Sequence, residues 1–155
     1  SKFYGLNTVC LRYFNVYGPK QNADSEYSAV IPKFIRSVIL GKSPAIYGDG
    51  NQTRDFTYVS DVVKANILAI NSKVSDGTHM NIAYGKNISV NDLLRTVNLI
   101  LGKNIKPVRK DARLGDVRDS LADISLARKT LGYKPFYDLR RGLEETINWM
   151  RKYAR

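Results

Sequence analysis

The sequence predicts an α/β protein of mixed short strands with about five helices. Runs of β-branched and aromatic residues alternate along the chain with amphipathic segments at helical spacing, which is the pattern of such a fold. The chain has 155 residues, about the length of one average domain. Its composition, 43% hydrophobic and 25% charged, is ordinary for a globular protein and excludes a disordered or collagen-like chain.

The strands are predicted from apolar runs that turn residues bound on either side. They cover residues 8–17, 45–47, 55–59, 80–83 and 105–110. Gly18 and Pro19 close the first of them. Pro107 makes the last an edge strand, because proline cannot donate to a sheet ladder.

The helices are predicted from apolar residues at spacings of three and four and from their capping residues. They cover residues 28–41, 61–71, 89–101, 125–131 and 138–153. Ser60 is the expected N-cap of the second helix, and Ser89 with Asp92 forms a capping box at the third. Gly41 and Gly102 are the expected C-terminal stops of the first and third helices.

Several classes of site are excluded because the residues that they need are too few or absent. Cys10 is the one cysteine and His79 the one histidine, so no internal disulfide or cysteine-based zinc site is predicted, and no metal site. No apolar run approaches the roughly 18 residues that a membrane span needs. The sequence contains no Tyr-x-x-x-Lys, paired-carboxylate or histidine-based catalytic pattern, so no catalytic residue is expected in this chain.

The net charge of +11 is unevenly distributed. Residues 1–80 carry nine Lys and Arg against six acids, and residues 81–155 carry sixteen against eight. A basic half is typical of a protein that binds nucleic acid, an acidic lipid surface or an anionic small molecule. The alternative is that these charges form an ordinary solvated surface. Nucleic acid is disfavoured because the aromatic residues lie within apolar strand patterns and do not alternate with Lys and Arg.

Two glycine patterns are poor candidates for phosphate loops. Gly48 and Gly50 are followed by a predicted strand, whereas a dinucleotide loop must open a helix. The run Gly41-Lys42-Ser43 matches the end of a P-loop but follows a helix, and Arg36 stands where the P-loop has its first glycine.

A stronger signal is an arginine beside a carboxylate in irregular backbone, which occurs twice. Arg54 precedes Asp55, and Arg113 lies three residues before Asp116. A guanidinium binds a diphosphate through paired charge-assisted hydrogen bonds, and an aspartate can accept both ribose hydroxyls. Asn15 lies near the end of the first predicted strand, where open α/β sheets place their ligands. These groups together predict an anionic, nucleotide-like ligand.

Six segments in order resemble the second half of the UDP-glucose 4-epimerase family, which belongs to the extended short-chain dehydrogenase/reductases. They are residues 11–19 (LRYFNVYGP), 29–34 (AVIPKF), 47–50 (YGDG), 53–59 (TRDFTYV), 115–118 (GDVR) and 122–124 (ADI), and residues 4–6 (YGL) before them also match. The resemblance covers nearly the whole chain. It implies that residues 1–155 are the substrate-binding C-terminal portion of such an enzyme.

The resemblance implies a role for individual positions in binding a UDP-sugar. Arg54 and Arg113 match the ligands of the diphosphate, Asp116 matches the ribose acceptor, and Asn15 matches a residue that bonds the UDP-sugar. The segments that enclose uracil match Ala29, Val30, Ala45, Ile46 and Tyr47. Ser120, four residues after Asp116, matches the position beside the C2 substituent of the sugar. Leu114 departs from the usual proline of the family and loosens the loop that carries Arg113.

The resemblance also implies an NAD cofactor, with Tyr13 and Phe14 at the nicotinamide. Most of the NAD site, with the catalytic Tyr-x-x-x-Lys pair, belongs to an N-terminal Rossmann half that this chain lacks. The chain is therefore expected to be inactive alone and to pair with that half.

By the same resemblance, the full-length enzyme is expected to be a cytoplasmic homodimer that epimerises UDP-glucose, and also UDP-N-acetylglucosamine if Ser120 leaves room for the acetamido group. A nucleotide-sugar 4,6-dehydratase and a UDP-glucuronate decarboxylase share most of these motifs and stay open as alternatives.

Overall fold

The computed structural model describes residues 1–22, 30–74 and 76–153, in which strands and helices alternate as predicted. The helices are α1 (Val30–Ile39), α2 (Val59–Ile70), α3 (Val90–Leu101), α4 (Ser125–Leu131) and α5 (Leu139–Tyr153). The strands are β1 (Thr8–Tyr13), β2 (Val16–Tyr17), β3 (Ala45–Tyr47), β4 (Thr53–Asp55), β5 (Thr57–Tyr58), β6 (Asp76–Ile82), β7 (Asn87–Ser89), β8 (Val108–Lys110) and β9 (Asp119–Ser120). The prediction of a mixed α/β fold with five helices is confirmed.

The helix caps follow the predicted local chemistry at α3. The Ser89 hydroxyl oxygen accepts a hydrogen bond from the Asp92 amide at 3.0 Å, so Ser89 is the N-cap as expected. The Asp92 carboxylate accepts the Ser89 hydroxyl at 2.6 Å. Gly102 ends α3 with a φ of 63°, in the left-handed region that glycine adopts at low cost. Gly41 follows α1 with a φ of 70°. The predicted first two residues of α1, at positions 28 and 29, lie outside the described residues.

The start of α2 differs from the prediction. The helix begins at Val59, and its N-cap is Tyr58, whose side chain makes no capping bond, so the prediction of Ser60 as N-cap is wrong. A tertiary contact is made in this first turn, because the Asp61 carboxylate accepts the amides of Phe136 at 2.9 Å and Tyr137 at 3.0 Å. That contact holds the helix end against the segment before α5.

The strand predicted over residues 8–17 is two strands, because its halves pair with different partners. β1 runs parallel to β6, with Leu11 opposite Met80, and β2 runs parallel to β5. Asn15 lies between them with a φ of 37°, which breaks the extended backbone.

The strand predicted over residues 55–59 is likewise divided into β4 and β5, with Phe56 between them. The predicted edge strand at residues 105–110 is reduced to β8, beyond Pro107, and pairs in parallel with β3. The short polar strands β7 and β9 escaped prediction because two or three residues show no hydrophobic period.

Strand β4 holds the centre of a three-stranded sheet of order β7-β4-β9. It is antiparallel to β7 and parallel to β9, with Arg54 opposite Ser120 in the second pair. A hydrogen bond from Thr53 Oγ1 to Asp119 Oδ1, 2.6 Å long, adds a side-chain link between β4 and β9. The sheet therefore places Arg54 beside β9, which begins three residues after Asp116.

The core consists of two hydrophobic clusters. One contains α1, α3, α5 and the aromatic residues Tyr17, Phe56 and Tyr58. The other contains β6, α4 and parts of α2 and β1. No helix within the described residues is long and apolar enough to cross a membrane.

Gly142 of α5 marks the tightest approach in the first cluster. A Cβ built at this position overlaps the Tyr17 hydroxyl and lies 2.9 Å from both Tyr17 Cζ and Tyr58 Cδ2. We expect Gly142→Ala to lower the free energy of unfolding by about 1–3 kcal/mol through overpacking, although alanine favours helix by about 1 kcal/mol. Urea denaturation measures the change.

Tyr17→Phe in the Gly142→Ala background is the matched control, because it removes the atom that the new methyl group meets. We expect it to restore part of the lost stability. A Gly142→Ala protein as stable as the parent would show that α5 does not approach Tyr17 this closely.

Candidate functional site

A cavity of about 290 Å³ opens where α1, β3, β4 and the loop after β8 meet. Its walls combine apolar side chains with cationic and amide groups. The lining residues are Asn15, Tyr17, Val30, Ile31, Lys33, Phe34, Ala45, Ile46, Tyr47, Gln52, Arg54, Phe56, Val90, Arg113 and Asp116.

The apolar wall comes from α1 and β3, which present a hydrophobic face to the cavity. Ile31 and Phe34 are buried on the inner side of α1, and Ile46 is buried in β3. The Tyr47 carbonyl oxygen at the end of β3 accepts a hydrogen bond of 2.8 Å from Gln52 Nε2. This bond ties the end of β3 to the turn that leads into β4.

Arg54 and Asp116 form an ion pair at the opposite wall. The Arg54 Nη2 donates to Asp116 Oδ1, and Arg54 Nη1 donates to the Thr53 carbonyl oxygen at 2.7 Å. The Arg54 side chain is 17% exposed and that of Asp116 is 36% exposed. The arginine is thus held in one orientation, with its charge partly balanced by a carboxylate at the cavity mouth.

Arg113 lies over the ring of Tyr47, with its Cζ 3.9 Å from the ring centroid, and Lys110 Nζ lies 5.9 Å from it. Hydrogen bonding to Arg113, followed by the charge of Lys110, lowers the pKa of the Tyr47 phenol. A guanidinium on an aromatic face gains cation–π attraction. The stack gives the loop after β8 a defined position although its residues are exposed.

Asn15 reaches the cavity from the break between β1 and β2. Its Nδ2 donates to the Asp55 carbonyl oxygen at 3.1 Å, and its own carbonyl oxygen accepts the Thr57 amide at 3.3 Å. These bonds hold the left-handed backbone at Asn15 and fix its side chain beside β4.

Eight of the residues singled out from the sequence line this one cavity, although they lie far apart along the chain. They are Asn15, Val30, Ala45, Ile46, Tyr47, Arg54, Arg113 and Asp116. Ala29 lies outside the described residues. Ser120 is in β9 beside Arg54, and is not among the lining residues.

Tyr13 and Phe14 lie away from the cavity, at the end of β1. The Tyr13 hydroxyl donates to Asn66 Oδ1 at 2.9 Å, and the ring is 48% exposed. Phe14 packs partly buried on the second core cluster, and its amide donates to the Ile82 carbonyl oxygen at 3.2 Å. The two residues therefore lie at the carboxyl end of the β1–β6 strand pair and not in the cavity lining.

The sequence analysis assigned no role to Lys33 and Gln52, which also line the cavity. Lys33 follows Val30 by three positions, so helical spacing places both residues on the same side of α1. This spacing could have predicted Lys33 as a lining residue from the sequence. With Lys33, Arg54 and Arg113 against Asp116, the lining is net cationic. A flat apolar wall beside such charges suits an anionic ligand that carries an aromatic ring and hydroxyl groups.

Comparisons with known proteins agree with this chemistry. A model of the NAD-dependent epimerase/dehydratase family matches residues 1–83. A solved UDP-N-acetylglucosamine 4-epimerase from Methanobrevibacter ruminantium, in complex with UDP-N-acetylmuramic acid, is similar over 97% of this chain and 48% of its own. The identity is 44% and the TM-score 0.92.

Two further solved structures are similar. The UDP-glucose 4-epimerase of Thermotoga maritima with UDP-glucose is 39% identical over 99% of this chain and 49% of its own, with a TM-score of 0.93. The UDP-glucuronic acid 4-epimerase of Bacillus cereus with UDP-glucuronic acid and NAD is 32% identical over 97% of this chain and 47% of its own, with a TM-score of 0.89. The chain spans about half the length of the curated relatives it matches.

The contact between Arg113 and Tyr47 predicts a pH-dependent signal. We expect Arg113→Ala to raise the pKa of Tyr47 toward its usual value, because it removes both a hydrogen-bond donor and a positive charge. Ultraviolet difference titration of phenolate absorbance measures it, with Tyr47→Phe identifying which of the tyrosines changes. An unchanged titration curve in Arg113→Ala would show that the two side chains are not in contact in solution.

Proposed function

Because this chain belongs to the NAD-dependent epimerase/dehydratase family, we propose that it is the UDP-sugar-binding portion of an NAD-dependent UDP-sugar 4-epimerase. UDP-glucose is the first expected substrate, and UDP-N-acetylglucosamine the second. The three solved structures described above are all 4-epimerases, which favours this reaction over a dehydratase or decarboxylase.

The observation that carries the proposal is the convergence of the predicted ligand-binding residues on one cavity. Asn15, Arg54 and Arg113 come from three separate segments and meet around the same space of about 290 Å³. A UDP group needs an apolar slot for its base, cations for its diphosphate and an acceptor for its ribose. The apolar wall, the arginines and Asp116 supply these three features in the one cavity.

Arg54 and Asp116 exchange partners when such a ligand binds. In the ligand-free chain each neutralises the other across the cavity mouth. A diphosphate offers Arg54 a second anionic partner, and Asp116 can then accept the ribose hydroxyls. Arg113, at the rim on the Tyr47 ring, supplies a second guanidinium for the same diphosphate.

The residues present fit an edge of an NAD site. Tyr13 and Phe14 lie at the carboxyl end of parallel strand β1, next to Asn15, where α/β sheets bind ligands. When bound, NAD supplies the acceptor and donor of the hydride at C4 of the sugar. This chain contributes the backbone and rings of these two residues, and the proton-transferring tyrosine belongs to the upstream Rossmann half.

The upstream half has a place to pack beside β1. Within the described residues β1 pairs with β6 alone, so its other edge is open. Val63, Ile67 and Ile70 form an exposed apolar stripe at helical spacing on α2. We infer that the Rossmann half covers this edge and stripe, and that the chain is inactive without it.

The proposal includes a cytoplasmic location and a homodimer for the full-length enzyme.

The test of the proposal is made in the full-length protein, which should interconvert UDP-glucose and UDP-galactose. We expect Arg54→Ala and Arg113→Ala each to raise the dissociation constant of UDP well over tenfold. Truncating one partner of a hydrogen-bonded charge pair that the bound ligand buries costs on the order of 2–5 kcal/mol. Titration calorimetry with UDP measures the affinity.

Arg95→Ala is the matched control, because Arg95 is an exposed arginine of α3 paired with Asp92, away from the cavity lining. Its UDP affinity should equal that of the parent. Unchanged affinity in both cavity variants would refute the assignment of Arg54 and Arg113 to the diphosphate.

Ser120 is proposed to set which sugar fits. It stands opposite Arg54 in the β4–β9 pair, and side chains of register partners project to the same face of a sheet. We expect Ser120→Tyr to abolish activity on UDP-N-acetylglucosamine and to spare activity on UDP-glucose, because the ring fills the space of the acetamido group. Comparing kcat/KM for both substrates in this variant and in Ser120→Ala tests it. Equal losses on both substrates would make Ser120 a purely structural residue.

A further inference from the structure

Asp55 is a charged side chain that the proposed function does not use. Its relative exposure is 0%, and it is not among the residues that line the cavity. Burial raises the pKa of its carboxyl group, and hydrogen bonds from backbone amides oppose that rise. A buried carboxylate is costly unless it is fully hydrogen-bonded, so its partners indicate what it does.

Those partners are amides from two other segments. Oδ1 accepts the Tyr84 amide at 3.0 Å, and the Gly85 amide lies within 3.2 Å of both oxygens. Oδ2 also accepts the Ala122 amide at 3.3 Å. One carboxylate thus joins β4 to the loop between β6 and β7 and to the segment that follows β9.

The backbone of Asp55 adds a fourth segment. Its carbonyl oxygen accepts the side-chain amide of Asn15. Asp55 directly follows Arg54, and Ala122 lies just beyond the stretch that contains Arg113 and Asp116. Two of the four segments joined at Asp55 therefore carry proposed nucleotide-binding residues, and a third follows β9, which begins three residues after Asp116.

We propose that Asp55 is a positioning residue for nucleotide binding. Its carboxylate sets the distance between the strand that carries Arg54 and the segment after β9, and through β9 it positions the loop that carries Asp116. Its carbonyl oxygen orients Asn15. The role rests on the proposed function, because it concerns the ligand of the same cavity. Asp55 touches no ligand itself, being fully buried behind the cavity wall.

Asp61 provides an internal comparison for a purely structural role. It is also buried, at 2% exposure, and its carboxylate also accepts two backbone amides, from Phe136 and Tyr137. None of these three residues lines the cavity. Removing either carboxylate should destabilise the fold, but only the loss of Asp55 should change the cavity.

The first experiment compares Asp55→Asn with Asp61→Asn in the full-length protein. Both carboxylate oxygens of Asp55 accept backbone amides, and a side-chain amide has only one acceptor oxygen. In Asp55→Asn the NH₂ group therefore faces a backbone N–H in either orientation. We expect both variants to lower the urea midpoint. Asp55→Asn should raise the UDP dissociation constant at least tenfold, and Asp61→Asn should leave it within twofold of the parent. Calorimetry measures the affinities at a temperature at which circular dichroism shows that all three proteins are folded.

The second experiment needs no variant, so it holds even if Asp55→Asn fails to fold. Binding and positioning are thermodynamically linked, so a ligand that uses the positioned residues must stabilise the contacts that position them. We expect saturating UDP to slow hydrogen exchange at the amides of Tyr84, Gly85 and Ala122 at least tenfold. The amides of Phe136 and Tyr137, on Asp61, should slow by a smaller factor.

The outcomes separate this inference from the proposed function. Failure of the parent protein to bind UDP would overturn both. UDP binding by the parent with equal affinity in Asp55→Asn, or equal slowing of exchange at the two carboxylates, would overturn the positioning role alone and leave the UDP site in place.

Discussion

The site depends on one buried carboxylate. Asp55 lies between the two hydrophobic clusters, since its neighbour Phe56 belongs to the first and its partner Ala122 to the second. The backbone amides around it belong to two chain segments, and the carboxylate joins both of them to β4. Loss of the carboxylate would leave each of these amides without a partner. The hydrogen bonds therefore fix the relative position of the two clusters more precisely than apolar contacts can.

Contacts within the protein hold the two arginines that line the cavity. Arg54 is held by Asp116 and by a backbone carbonyl, and Arg113 by an aromatic face. These contacts restrict the rotamers of both side chains, so less rotamer entropy is lost when a ligand binds. The carboxylate of Asp116 serves as a temporary counterion, and this makes a concentration of positive charge tolerable in the free protein.

Local sequence chemistry predicted the helices and failed where distant contacts decide the structure. Ser89 and Gly102 act as the predicted caps of α3, because capping depends on neighbours in the chain. The break at Asn15 could not be predicted, since it arises from the pairing of β1 and β2 with different strands. The start of α2 was misplaced for the same reason, as Asp61 bonds to amides about 75 residues later in the chain.

The cavity was predicted in part because its strongest groups, Arg54 and Arg113, stand beside carboxylates in the sequence. Lys33 received no role, since a lysine on a helix is ordinarily solvated and only the arrangement around β3 brings it to the lining. The sequence could identify the ligand chemistry through residue types. It could not show that Arg54 and Asp116 bond to each other. Asp116 is brought to β4 by the loop that leads into β9, and β9 is two residues long and has no sequence pattern of its own.

The pairing of β1 with β6 has a consequence for the order of events during synthesis. Leu11 finds its partner only when Met80 has left the ribosome, and parallel strands so far apart in sequence close a large loop. At about 5–20 residues per second, β1 waits several seconds as an unpaired strand. During that interval an exposed strand edge is open to wrong partners, including β1 of another nascent chain. Any segment synthesised earlier that covers β1 would therefore act as its chaperone as well as its neighbour.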